Sequence, residues 1–242
     1  MDLSTIQSFV LDLCRSLCPT APGTYLEVGA NDGLIQSNTL ALEQQLGWRG
    51  VLVEASPKAY TALEINRPSN FLVHAALVDH AFRGASVVGD FALGTPRGKI
   101  TKAEDVDRLA PKEMVGALYK RLGKRVRGEI VEVPARTLDR VLADSPFERL
   151  DFVSLDVEGH EVGVLEGCDL VGNPPSAFLI EMSPPMIWPT LELLLAHRYV
   201  LVRNVSRFSK AANPGWSQDH QDYLFVQQHL LEVPELRQLV FS

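Results

Sequence analysis

The chain of 242 residues carries a formal net charge of −7 and a pI near 5.4. Its 46% apolar content is enough for a sizeable core, and its 22% charged content matches a globular chain, which excludes disordered and fibrous classes. An acidic chain gains nothing from the phosphate attraction behind nucleic-acid binding, so nucleic acid is not an expected partner.

The elements follow in chain order. Residues 5–17 read as an amphipathic helix: Ile6, Phe9, Val10, Leu13 and Leu17 recur at spacings of three and four, and Pro19 lies just beyond. Cys14 and Cys18 share one face of it. With Cys168 they form an odd, sparse set that makes neither a disulfide framework nor a convincing zinc site. The first residues lack the basic segment of a secretory leader, and no apolar run approaches ~18 residues. A cytoplasmic protein without a membrane span is expected.

Tyr25–Val28 reads as a strand running into Gly29. A helix over 37–46 follows, closed by Gly47, then a β-rich run over 50–54 that ends in Glu54. Pro57 opens a helix to about Asn66, and residues 71–74 form a third strand. This alternation predicts a parallel sheet with helices on its faces. The stretch 82–127 breaks the rhythm with Gly and Pro turns, a helical segment over 103–122 and the basic run Lys120, Arg121, Lys124, Arg125 and Arg127. It reads as an insertion that can face substrate. The basic run fits a solvated helix face or, functionally, a phosphate-bearing substrate such as a nucleotide sugar. Strand character returns at 130–133, and a helix over 138–142 is capped by Thr137. Strands follow at 150–155 and 177–181, a helix at 190–197, and strands at 199–205 and 223–226. The loop holding Trp216 separates the last two strands and can close over substrate. Residues 230–240 read as a docking helix or a loose tail. One domain spans 1–242, with the N-terminal helix inside 1–22.

Two segments carry chemistry. Glu27-Val28-Gly29-Ala30-Asn31-Asp32-Gly33 sits between strand and helix, where open α/β sheets bind ligands. Its two glycines suit a turn whose backbone passes close to a ligand. The spacing is neither the three-glycine dinucleotide fingerprint nor a Walker loop, and Glu27 repels phosphate but attracts an ammonium group. About 20 residues on, Glu54 stands where an acid accepts bonds from ribose hydroxyls. The ligand reads as a nucleoside with a positive amino group, and S-adenosylmethionine fits. The second segment, Asp156-Val157-Glu158-Gly159-His160-Glu161, follows the most apolar strand and faces the same cleft. Its acids can also simply stabilise the start of the next helix.

These segments, with Val53-Glu54-Ala55-Ser56-Pro57, Thr137-Leu138-Asp139 and Val164-Leu165-Glu166-Gly167, resemble the FkbM family of methyltransferases. The resemblance runs roughly from Tyr25 to Phe225. It implies a Rossmann-like class I fold, a doubly wound and mostly parallel sheet with an antiparallel last strand. It also implies S-adenosylmethionine as donor and a hydroxyl acceptor on a natural product or sugar. By that resemblance Glu27, Gly29, Asn31 and Gly33 would hold the methionine part and Glu54 the ribose. Ala76 would lie near adenine, and Ser37, Ala55 and Asp156 complete the cofactor set. Family members usually carry Asp where Glu27 stands, and the insertion at 82–127 has no counterpart in the resemblance.

For catalysis, Asp156 is the preferred general base, His160 the alternative, and Glu158 completes the set. A divalent metal on Asp156 and Glu158 is a further route, though not the expected one. The competing functions are a nicotinamide-dependent oxidoreductase, which the glycine spacing disfavours, and a non-catalytic nucleoside-binding module. A homo-oligomer is compatible with the sequence.

Overall fold

The computed structural model describes residues 3–91, 130–206 and 220–241. Helix α1 (Leu3–Leu17) precedes β1 (Thr24–Val28), α2 (Leu40–Leu46), β2 (Arg49–Glu54), α3 (Pro57–Asn66) and β3 (Phe71–His74). Then come β4 (Ala76–Leu77), β5 (Ser86–Asp90), β6 (Ile130–Arg136), α4 (Leu138–Asp144), β7 (Phe152–Leu155) and α5 (Glu161–Leu165). The chain continues through β8 (Ala177–Met182), α6 (Pro184–Ala196), β9 (Tyr199–Asn204) and β10 (Gln221–Gln227). A 3-10 turn (Gln228–Glu232) and α7 (Pro234–Phe241) follow.

Seven strands form one sheet in the order β3-β2-β1-β7-β8-β10-β9. Strands β3, β2, β1, β7 and β8 are parallel, while β10 runs antiparallel to both β8 and β9. This is the doubly wound class I arrangement with its antiparallel last strand. The order reverses between β1 and β7, so the switch point lies beyond Val28 and Leu155.

Period-two alternation sorts the strand side chains between two cores. Leu26, Val28, Val51, Val53, Val153, Leu155, Phe178 and Ile180 face one core, with α4, α5 and α6. Tyr25, Leu52, Phe152, Ala177, Leu179, Leu224 and Val226 face the other, with α1, α2, α3 and α7. The C-terminal segment is a docked helix: Leu236 and Val240 are buried, and α7 lies against α1. Helix ends follow local chemistry. Ser56 accepts from the Ala59 amide with Pro57 in the first turn, and Gly47 closes α2 in a left-handed conformation at φ 67.

Three expectations change. Residues 82–91, read as the start of an irregular insertion, contain β5, which pairs antiparallel with β6 in a small second sheet ordered β4-β6-β5. Helix α6 begins at Pro184 rather than Thr190, because Pro184 and Pro185 occupy first-turn positions whose amides have no partner anyway. Helix α2 begins at Leu40 rather than Ser37, because residues 37–39 bind Glu27 instead. The helical segment 103–122, the basic run Lys120–Arg127 and the Trp216 loop lie outside the described residues. Among the described residues, no helix is long and apolar enough to cross a membrane.

Candidate active site

The alternation that builds the cores also puts acids together. Glu27, Glu54, Asp156, Glu181 and Asp222 share strand parity with the second core, so all five project from one face of the sheet. Four sit at or just past carboxyl ends of parallel strands. Asp222 enters antiparallel β10 at the same edge. Register brings three side by side: Leu155 pairs Ile180, placing Asp156 beside Glu181, and Asp222 pairs Glu181 directly.

Around the first turn, Glu54 is tied down by backbone. Its Oε2 accepts from the Asn31 amide at 2.8 Å and its Oε1 from the Ser56 amide at 2.6 Å. Two atoms with about four acceptor positions leave capacity for hydroxyl donors. Burial raises its pKa, and the backbone bonds pull it back. Ala55, next in sequence to Glu54, packs against the small cluster that holds buried Ala76. The Tyr60 ring stacks on His74, whose Nε2 lies 3.1 Å from the Ala55 carbonyl.

Glu27 is used differently from its expected place against an ammonium group. It is 4% exposed and accepts from the Ser37 hydroxyl at 2.8 Å, the Thr39 hydroxyl at 2.7 Å and the Asn38 amide at 2.7 Å. Its charge therefore shapes the loop before α2, and Ser37 serves that loop too. The two glycines also have a packing role. A Cβ on Gly29, at φ +81, would fall 1.9 Å from the Asp156 carbonyl oxygen. A Cβ on Gly33, at φ +79, would fall 2.6 Å from Arg67 Cγ and from Leu63 Cδ1. Their smallness serves chain-against-chain packing at the switch point. Asn31, at φ 53, turns the backbone amide onto Glu54.

The second segment holds the perturbed groups. The Asp156 amide donates to the Val28 carbonyl at 3.1 Å, locking the two loops together. Burial, then the charges of Glu158 and Asp222, push the Asp156 carboxyl up to about 8. Burial, then Asp156 and Asp222, push Glu181 to about 9. Burial also lifts Asp222 to about 6, opposed by His220 and by a bond from Ser206. The oxygens of Asp156, Glu158 and Glu181 lie within 4.8 Å of one another. Glu158 reaches the group from a left-handed backbone, φ 56.

His160 lies elsewhere. Its ring sits over Gly163, bonds the backbone at Leu77 and feels Asp79, while burial lowers its pKa. At the start of α5 and turned to β4, the ring packs over Gly163 of that helix. Glu161, 1% exposed, accepts from the Gly159 amide at 2.8 Å and stabilises the same bend.

Sequence reasoning missed Glu181, Asp222 and Arg67. An apolar run ending in an acid marks Glu181 as it marks Glu54 and Asp156. Nothing local marks Arg67, which is 1% exposed behind the first turn. A cavity of about 730 Å³ lies at the opposite edge, lined by Leu138, Phe147, Leu150 and Cys168 among others. Of its acids, Asp139 already binds His80 and the Asp169 amide.

The chain matches the methyltransferase FkbM domain over residues 27–201. No curated protein matches the sequence. Among solved structures, it is similar to a precorrin-6y C5,15-methyltransferase from Geobacter metallireducens GS-15, with 11% identity, 91% of this chain and 87% of that chain covered, and a TM-score of 0.45. It is similar to the 23S rRNA methyltransferase ErmE, with 12% identity, 98% and 74% covered, and a TM-score of 0.48. It is similar to an O-methyltransferase from Bacillus cereus in complex with SAH, with 12% identity, 93% and 80% covered, and a TM-score of 0.41.

Proposed function

Because this chain belongs to the FkbM methyltransferase family, we propose that it transfers a methyl group from S-adenosylmethionine to a hydroxyl of a small molecule, a natural product or a sugar. The observation that carries the reading is the row of carboxylates beside the switch point, with Asp156 among them raised to about 8.

The residues present fit this cofactor. An edge lined with acids favours a sulfonium and an ammonium and disfavours a pyrophosphate. Glu54 would hold the ribose, with Ala55 and Ala76 beside the adenine, and the Gly29–Gly33 turn would line the amino-acid part. S-adenosylmethionine supplies the methyl group as an electrophile. The protein aligns the acceptor and removes its proton. Asp156 takes that proton, since a base works best when its pKa lies near the working pH. Burial, with the charges of Glu158 and Asp222, keeps Asp156 basic.

Labelled S-adenosylmethionine offered with hydroxylated sugars and macrolide-type compounds, beside their amino analogues, tests the reading. Label in a methyl ether is expected, with a loss of ~10²-fold or more in Asp156→Asn. Label on amines alone would refute it. One observation favours a second reading: the close oxygens of Asp156, Glu158 and Glu181. A divalent cation takes such ligands at about 2.0–2.6 Å and would acidify a bound hydroxyl. Activity lost in chelator and restored by Mg²⁺ would support this route, and full activity in chelator would refute it.

A further inference from the structure

Arg67 closes helix α3, and its guanidinium is buried. A guanidinium has five N–H donors, and five acceptors surround this one. Nε donates to Glu43 Oε2 at 2.6 Å, and Nη2 donates to Tyr25 Oη at 2.7 Å and to Thr39 Oγ1 at 3.4 Å. Nη1 donates to the Gly33 carbonyl at 3.0 Å and to Ser37 Oγ at 3.3 Å. Three of the five bonds go to the segment between β1 and α2. The Ser37 and Thr39 hydroxyls that receive them donate in turn to Glu27. The missing side chain of Gly33 makes room for the Arg67 stem.

Burying a guanidinium carries a desolvation cost, and a well-packed apolar side chain often serves stability as well or better. What an apolar residue cannot do is hold a backbone carbonyl and two hydroxyls in fixed relation. A lysine, with one compact ammonium, cannot span them either. We propose that Arg67 is a positioning residue that fixes the shape of the cofactor turn, acting through Gly33, Ser37 and Thr39 rather than by touching the ligand. Its effect on affinity rests on the S-adenosylmethionine reading.

The test compares wild type, Arg67→Lys, Arg67→Met and Tyr199→Phe. The last removes a buried bond to the Pro175 carbonyl, away from the turn. Thermal melting, calorimetric titration with S-adenosylhomocysteine and amide exchange over residues 30–40 are recorded for each. The expected result is an Arg67→Lys protein that folds, exchanges faster over 30–40 and binds about ten- to a hundredfold more weakly. Tyr199→Phe should melt earlier with unchanged affinity. Exchange over 30–40 as in wild type in both Arg67 variants would overturn the proposal. So would an Arg67→Lys protein that no longer folds, since the residue would then serve the core alone. A wild type that does not bind S-adenosylhomocysteine would defeat the functional reading, and the exchange data would still decide the role of Arg67.

Discussion

Replacing Glu181 with Gln removes one charge from the carboxylate row at nearly constant volume. The Asp156 and Glu181 oxygens lie within 4.8 Å of each other. Two unit charges at that separation repel by roughly 3 kcal/mol at an effective dielectric of about 20. That repulsion falls on Glu181, which burial, Asp156 and Asp222 push up to about 9, and the variant removes this titration. Stability responds with a definite sign. A carboxylate whose pKa is higher folded than unfolded binds more protons in the native state between those two values, so stability falls as pH rises through that window. For Asp156 and Glu181 the window runs from the ordinary carboxylate range to about 8 and about 9. The assay is thermal melting from pH 5 to pH 9 in chelator, to keep cations off the carboxylates. Wild type should lose stability steadily. Glu181→Gln should lose less, ending roughly 5 °C higher relative to wild type at pH 9 than at pH 5. Parallel curves, or a wild type that gains stability toward pH 9, would mean that these carboxylates are not raised by one another.

Other substitutions separate the packing roles from the chemical ones. Gly29→Ala must give up a left-handed backbone and drive its Cβ against the Asp156 carbonyl, so urea unfolding should show a loss of roughly 2 kcal/mol or more. An unchanged midpoint would mean the two loops do not touch. Glu27→Ala leaves the Ser37, Asn38 and Thr39 donors without their acceptor. A loss of roughly 3 kcal/mol or more is expected in the same assay, and a loss below about 1 kcal/mol would contradict the role given to that carboxylate.

Much of the fold was legible because it rests on local signals. Each strand–helix alternation up to β3 showed in the sequence, and Glu54 and Asp156 announced themselves as acids ending apolar runs. Prolines concealed other elements. Pro134 hid the end of β6, yet it pairs with Ser86 at the first position of β5, at the end of the ladder, where a missing amide costs little. Pro184, Pro185 and Pro189 hid the first half of α6. Strands β4 and β5 depend on pairing with β6 across a long stretch of chain, which no local pattern reveals. The site was half legible for the same reason. Glu181 and Asp222 join Asp156 only through sheet register. Arg67 meets Glu43 and Gly33 only once α3 packs behind the turn. His160 stood among the right neighbours in sequence, but the bend at Glu158 and Gly159 turns its ring toward Leu77.

Calorimetric titration of wild type and Glu54→Ala with S-adenosylmethionine, S-adenosylhomocysteine and NAD tests the cofactor site most directly. Wild type should bind both sulfur nucleosides and not NAD. Glu54→Ala, having lost its ribose acceptor, should bind them at least about tenfold more weakly. A folded wild type that binds neither sulfur nucleoside, or that prefers NAD, would contradict the S-adenosylmethionine reading.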